Sequence, residues 1–212
     1  MKRTLLFFCL LLLPANALAA PRAGIEVGLA SVWLSDSLNF VGRTPSWRLD
    51  FNGSATVDIE LRNSWSLNTG QRYTRLGNDF EHDGANDPSG QGKPGTTTNL
   101  HQYVGVPVLF RWDVPGDTVF LFGGAEFAWL VKAASQTEFD DGSDDPEELE
   151  YTDSMERFNL SFVGGLGTAI AVGDHLFEFT GRYGHGMIKS NENEFSLGWK
   201  PREFALTAGF RW

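Results

Sequence analysis

The chain has 212 residues, 42% of them hydrophobic, and a formal net charge of −10 at neutral pH. So acidic a balance argues against a nucleic-acid partner, whose phosphates require lysine and arginine. A single cysteine excludes a disulfide-stapled fold.

The first stretch, MKRTLLFFCLLLLPANALAA, sets Lys2 and Arg3 before an apolar run from Leu5 to Leu13 and then Ala17-Leu18-Ala19. That order is the n-region, h-region and small-residue cleavage site of a secretory signal peptide. The run is too short for a transmembrane helix, which needs about 20 apolar residues. The expected organisation is therefore a signal peptide over 1–19 and one domain over 20–212. Cys9 falls inside the apolar run, so the exported domain is expected to carry no cysteine.

Eight segments then alternate between apolar and polar residues with the period of two that marks a strand. In AGIEVGLASVW, Ile25, Val27, Leu29 and Trp33 oppose Glu26, Gly28 and Ala30. FNGSATVDIEL sets Phe51, Ala55, Val57, Ile59 and Leu61 against Asn52, Ser54, Thr56, Asp58 and Glu60. SWSLNTGQRYTRLG sets Trp65, Leu67 and Tyr73 against Ser66, Asn68, Gly70 and Arg72. LHQYVGVPVLFRW places Val104, Val106, Val108, Phe110 and Trp112 opposite His101, Tyr103, Gly105 and Arg111. TVFLFGGAEFAWLV places Val119, Leu121, Ala125, Phe127 and Trp129 opposite Gly124, Glu126 and two phenylalanines. FNLSFVGGLGTAIAV and HLFEFTGRYGHGM continue the pattern. EFALTAGFRW ends it, with Phe204, Leu206, Ala208, Phe210 and Trp212 on one face.

The connections alternate too. Arg62-Asn63, Asp113 to Asp117, and Gly173-Asp174 carry tight-turn chemistry. Between them lie longer polar stretches: 34–46, 78–99, 132–157 and 189–200. Short turns on one side and long loops on the other are the wiring of an outer-membrane barrel, and a bilayer forbids unpaired strand edges, so the sheet must close. Trp33, Trp47, Trp65, Trp112, Trp129, Trp199 and Trp212 all fall at or near strand ends, where amphipathic rings meet the interface. The expected fold is all-β, an eight-stranded antiparallel up-and-down transmembrane barrel whose apolar set faces lipid. A soluble ligand-binding barrel would turn the same residues inward.

These stretches resemble the PorT-type outer membrane protein β-barrel family of small porin-like proteins. The resemblance runs over essentially the whole mature chain. It rests on WSLNTGQRYTRLG, on the tyrosine-then-proline strand YVGVPVLFRW, on VFLFGGAEFAWLV, and on FNLSFVGGLG and FEFTGRYGHGM. Asn159 stands where the family often has aspartate. In the terminal signal read by the barrel-assembly machinery, Phe210 and Trp212 fit, and Thr207 replaces a usual glycine. The resemblance implies an outer-membrane location and says little about activity, because a fold does not fix function.

Eight strands enclose an interior that side chains can fill. The polar faces place Glu26, Asp58, Glu60, Arg72, Arg111, Glu126, Glu178, Arg182, Glu203 and Arg211 there. Charges confined in a narrow tube require partners, so a paired network that plugs the barrel is expected. The alternative is a narrow ion path along those charges. Catalysis has one weak candidate, RYGHGMIKSNENEF. It faintly resembles the lipid A deacylases, which set a serine two residues after a strand histidine; here Met187 takes that place after His185, with Ser190 and Glu194 farther along. A serine five residues away does not share the histidine's face, so no catalytic residue, metal or cofactor is assigned.

Segment 132–157 holds ten acids (Glu138, Asp140, Asp141, Asp144, Asp145, Glu147, Glu148, Glu150, Asp153, Glu156) against Lys132 and Arg157. The spacing is not an EF-hand. A solvated, self-repelling loop is expected, anchored at most by Phe139, Leu149, Tyr151 and Met155. A weak divalent-cation or cationic-partner surface is the alternative. The resulting expectation is a monomeric, non-enzymatic outer-membrane protein in a structural or surface-interaction role. Its partners are membrane lipid and the assembly machinery. The alternatives are a narrow channel and, third, an envelope-lipid-modifying enzyme.

Overall fold

The computed structural model describes residues 21–35, 44–46, 48–62, 64–83, 92–141, 148–188 and 200–212. The expected signal peptide, Trp47, Trp199, Ser190 and Glu194 lie outside the described residues.

Eight long antiparallel strands close on themselves: β1 (Arg22–Ser35), β3 (Leu49–Arg62), β4 (Trp65–Asp83), β5 (Pro94–Asp113), β6 (Val119–Phe139), β8 (Phe158–Val172), β9 (His175–Gly186) and β10 (Lys200–Arg211). Each pairs with the next, and β1 pairs with β10, Ile25 opposite Phe210 and Leu29 opposite Leu206. Two three-residue strands, β2 (Thr44–Ser46) on β4 and β7 (Glu148–Glu150) on β6, attach to the outer part of the wall.

The turn end is built as its residues demand. Gly173 takes a positive φ of 62° in the β8–β9 turn, which a side chain would resist. In the β5–β6 turn the Asp117 amide donates to the Val114 carbonyl at 3.1 Å, and Gly116 has φ 80°. Both ends of the domain meet here, the Trp212 amide donating to the Ala23 carbonyl at 3.0 Å.

The alternation resolves in one sense around the whole ring. Ile25, Val27, Leu29, Phe51, Val106, Phe110, Phe162, Leu166, Phe204 and Leu206 are exposed on the outside. Asn52, Thr56, Arg72, Arg111, Glu126, Glu178 and Arg211 are buried inside. A water-soluble protein does not arrange charges within and leucines without; a membrane barrel does. On β6 the exposed apolar positions run from Leu121 to Val131, which matches the 9–11 residues of a tilted transmembrane strand. Aromatic rings mark both borders. Trp65 stacks on Trp112 at 6.3 Å, and Trp212 lies tilted against Phe210 at 5.9 Å, at the turn end. At the other end Trp129 meets Phe158 at 5.6 Å.

The long connections differ from the expected loops. Strands β4, β5 and β6 continue past the apolar band, paired from Gly77–Leu100 to Asp83–Pro94 and from Ala133–His101 to Phe139–Gly95. Much of 78–99 and the start of 132–157 is therefore strand, standing outside the membrane. Polarity suggested loop there. The run Thr96-Thr97-Thr98 is β-branched, however, and cross-strand pairs such as Thr97–Thr137, with hydroxyls 3.1 Å apart, hold it.

Candidate functional site

The lumen charges fall into two clusters. Towards the outer end, Arg72 on β4 holds both oxygens of Glu203 on β10 and approaches Glu126 on β6 at 3.3 Å. Arg182 on β9 donates to the other Glu126 oxygen at 2.7 Å. Arg72 is 2% exposed. Four strands distant in sequence are thus tied across the tube.

Towards the turn end, Arg211 on β10 is a hub. It donates to Glu178 on β9 at 2.5 Å and to Glu26 on β1 at 2.9 Å, and it pairs with Asp58 on β3. Arg111 on β5 reaches the other Glu178 oxygen at 2.5 Å, Asp113 at 2.8 Å and Asp58 at 3.8 Å. Asn68 adds a hydrogen bond to Asp58 at 2.7 Å. Charges drawn from water into such a space cost several kcal/mol each; here each guanidinium faces at least one carboxylate, as burial requires.

Nine of the ten charged residues assigned to the lumen are therefore brought together, and Glu60 is not. Its carboxylate is half exposed and pairs with Arg22 at 3.4 Å. It has the inward parity of Asp58 but lies beyond the closed part of the tube. There β3 shifts register between Glu60 and Arg62, and the Glu60 carboxylate is left half exposed.

Residues that charge alone does not reveal complete the filling. Phe120 is 2% exposed inside the barrel, with the Arg111 guanidinium 3.7 Å from its ring centre. Between the clusters, Pro107, Leu109, Phe120 and Phe122 line a cavity of about 30 Å³. A second cavity of about 20 Å³ sits near Tyr103, Asn159 and Glu203. Each has room for about one water. At the turn end a vestibule of about 400 Å³ opens between Arg22, Glu60, Arg62, Trp65 and Asp113 and reaches Arg111 and Asp58.

The outer mouth closes differently. Ala30, Val32, Leu76, Tyr103, Ala128, Leu130, Ala133 and Ala205 form an apolar layer above Arg72 and Glu126, and Tyr151 and Met155 pack onto it from outside. Segment 148–157 is thus seated rather than solvated throughout. The Tyr151 amide donates to the Ala133 carbonyl at 3.0 Å, the Ala133 amide to the Thr152 hydroxyl at 2.9 Å, and the Leu130 amide to the Arg157 carbonyl at 2.7 Å. The expected solvated, self-repelling loop is thus corrected for 148–157, where two of the four expected anchors, Tyr151 and Met155, are packed down. Tyr151 and Met155 bury enough apolar surface to hold this part against its charge. Among the described residues no group of three or more histidines, cysteines or carboxylates could hold a metal ion.

His185 of the weak catalytic candidate lies on the outward face of β9, its ring nitrogen 3.5 Å from the Tyr183 hydroxyl. On the lipid-facing wall, Phe204, Leu206 and Trp212 are exposed, with Phe210 against Phe177 at 5.1 Å.

The outer membrane protein beta-barrel domain family matches residues 20–192. The chain belongs to that family. It is a protein of the outer membrane, with its apolar wall in lipid and the extensions of β4, β5 and β6 outside. Several solved structures are similar. Neisserial surface protein A is 12% identical, with 92% of this chain and 97% of that one covered, at a TM-score of 0.44. Ail, the attachment invasion locus protein of Yersinia pestis, is 13% identical over 92% and 100%, at 0.49. The outer membrane protein OprG from Pseudomonas aeruginosa is 14% identical over 91% and 96%, at 0.43. No curated protein matches.

Proposed function

We propose that this outer-membrane barrel does not conduct solutes. In this reading it serves a structural or surface-interaction role, anchoring an acidic outer wall to the membrane. The observation that carries this reading is the paired lumen: all four lumen arginines are engaged by carboxylates, and the two cavities beside them, among the described residues, admit about one water each. A buried network in which every guanidinium is paired with a carboxylate is costly to open. We place the protein among the PorT-type barrels on the Tyr103–Pro107 stretch, as a monomer delivered by the barrel-assembly machinery through Phe210 and Trp212. We propose no enzymatic activity, His185 facing lipid beside Tyr183.

A narrow ion path is the second reading, favoured by the vestibule that brings solvent to Arg111 and Asp58. Planar-bilayer recording separates the two. The first requires a flat baseline after insertion; reproducible unitary steps, altered by Arg72→Met, would replace it with the second. A lipid A profile that changes with the protein would instead make it an enzyme.

A further inference from the structure

The seat of segment 148–157 contains a titratable group that the lumen network does not use. His101 on β5 lies outside the membrane-spanning part of its strand, two residues beyond Tyr103 and past the outward-facing polar Gln102. Its imidazole is 4% exposed. The Tyr151 hydroxyl lies 3.2 Å from its Nε2, and the Tyr151 ring meets it edge-on at 5.9 Å. We propose that segment 148–157 is a releasable lid and His101 its latch, so that acidification of the external medium lifts the lid from the outer mouth.

His101 pairs with Leu76 on β4 and Ala133 on β6, both in the apolar layer that Tyr151 and Met155 cover. Among the described residues, the titratable group seen against it is the Tyr151 phenol. Arg75 and Lys132, which flank Leu76 and Ala133, carry the parity of the opposite face. Of the carboxylates on neighbouring elements, Glu150 accepts from the Thr152 hydroxyl at 3.0 Å and Glu203 from Arg72. An imidazolium formed here would be stripped of water among alkyl and aromatic groups, which is costly. With the lid lifted, the same ring stands at the mouth and is hydrated.

Burial lowers the His101 pKa from 6.5 to about 4 with the lid seated. The open form takes up protons first, so the closed preference is complete above pH 6.5 and falls as pH drops towards 4. The difference amounts to roughly 300-fold in the closed-to-open ratio. The lid's own acids, Glu148, Glu150, Asp153 and Glu156, act in the opposite direction. Their protonation relieves self-repulsion and favours closure.

Amide exchange of the mature protein in nanodiscs, read on peptides covering Ala128–Ser135 and Leu149–Arg157 and corrected for intrinsic rates, tests this. Protection should fall by roughly two orders of magnitude between pH 7.5 and 4.5, and His101→Phe should abolish that fall. Equal losses in wild type and variant, or no loss in wild type, would overturn the proposal. Should His101→Phe fail to fold, an NMR titration of His101 decides. Its pKa should lie below 5 and rise by at least one unit in Tyr151→Ala; a value that Tyr151→Ala leaves unmoved refutes the latch.

Discussion

Arg72→Met removes the guanidinium that holds both oxygens of Glu203 and reaches both of Glu126. Methionine roughly keeps the stem and its packing, so the change isolates the charge. Glu126 retains Arg182 at 2.7 Å, whereas Glu203 loses the cation that engages it. Breaking a buried pair from one side costs about 3–5 kcal/mol, since the stranded charge cannot recover its hydration. The single variant should therefore lose about that much stability. Arg72→Met/Glu203→Met, with neither charge left, should lose clearly less. Reversible urea unfolding in lipid vesicles, followed by tryptophan fluorescence and heat-dependent gel mobility, gives both values. A single variant within 1 kcal/mol of wild type would show that water reaches Glu203 and that the lumen is open. A double variant worse than the single would show that the pair stabilises by itself, contrary to the reasoning.

At the rim, Arg22→Met breaks only the half-exposed pair with Glu60 and should cost no more than about 1 kcal/mol in the same assay. A Cβ on Gly28 would sit 2.1 Å from the Leu206 carbonyl oxygen across the seam that closes β1 on β10. Gly28→Ala should therefore lower the yield of heat-modifiable barrel well below that of an outward Ala208→Val control. Calorimetry with calcium should detect nothing tighter than about millimolar, the range of weak oxygen-ligand sites; stoichiometric binding lost on changing Asp140, Asp141, Asp144 and Asp145 to Asn would reveal a metal site instead.

Much of this was legible before any coordinates, and the reasons are physical. Where a strand crosses the bilayer, lipid on one face and a charged lumen on the other enforce a strict two-residue period. Ile25 to Trp33 and Phe204 to Trp212 could be read directly. Outside the membrane that constraint lapses. The extensions of β4 to β6 mix buried Phe80, Ala133 and Ala134 with polar residues, and the register shift between Gln102 and Tyr103 breaks the alternation as they leave the bilayer. β2 and β7 are three residues long, too short to show a period. Charge identified the lumen set but not its pairing, nor Glu60's place at the rim. Leu76 and Leu130 carry the parity of the charged face, and nothing local distinguishes them from wall residues. In the acidic run, Phe139, Leu149, Tyr151 and Met155 were the only apolar signals of an anchor, and nothing local told which two, Tyr151 and Met155, would pack on the mouth.

The most direct test uses the absence of cysteine from residues 20–212, which makes single-cysteine variants clean reporters in intact outer membranes. Labels at Val106, Leu166 and Leu206 should report a lipid phase. Cysteines at Thr56 and Thr180, inside the tube, should resist a small water-soluble thiol reagent until the barrel is unfolded. Rapid labelling of Thr180→Cys in the folded protein, or an aqueous signal at Val106, would contradict a lipid-facing apolar wall around a closed, charge-paired lumen.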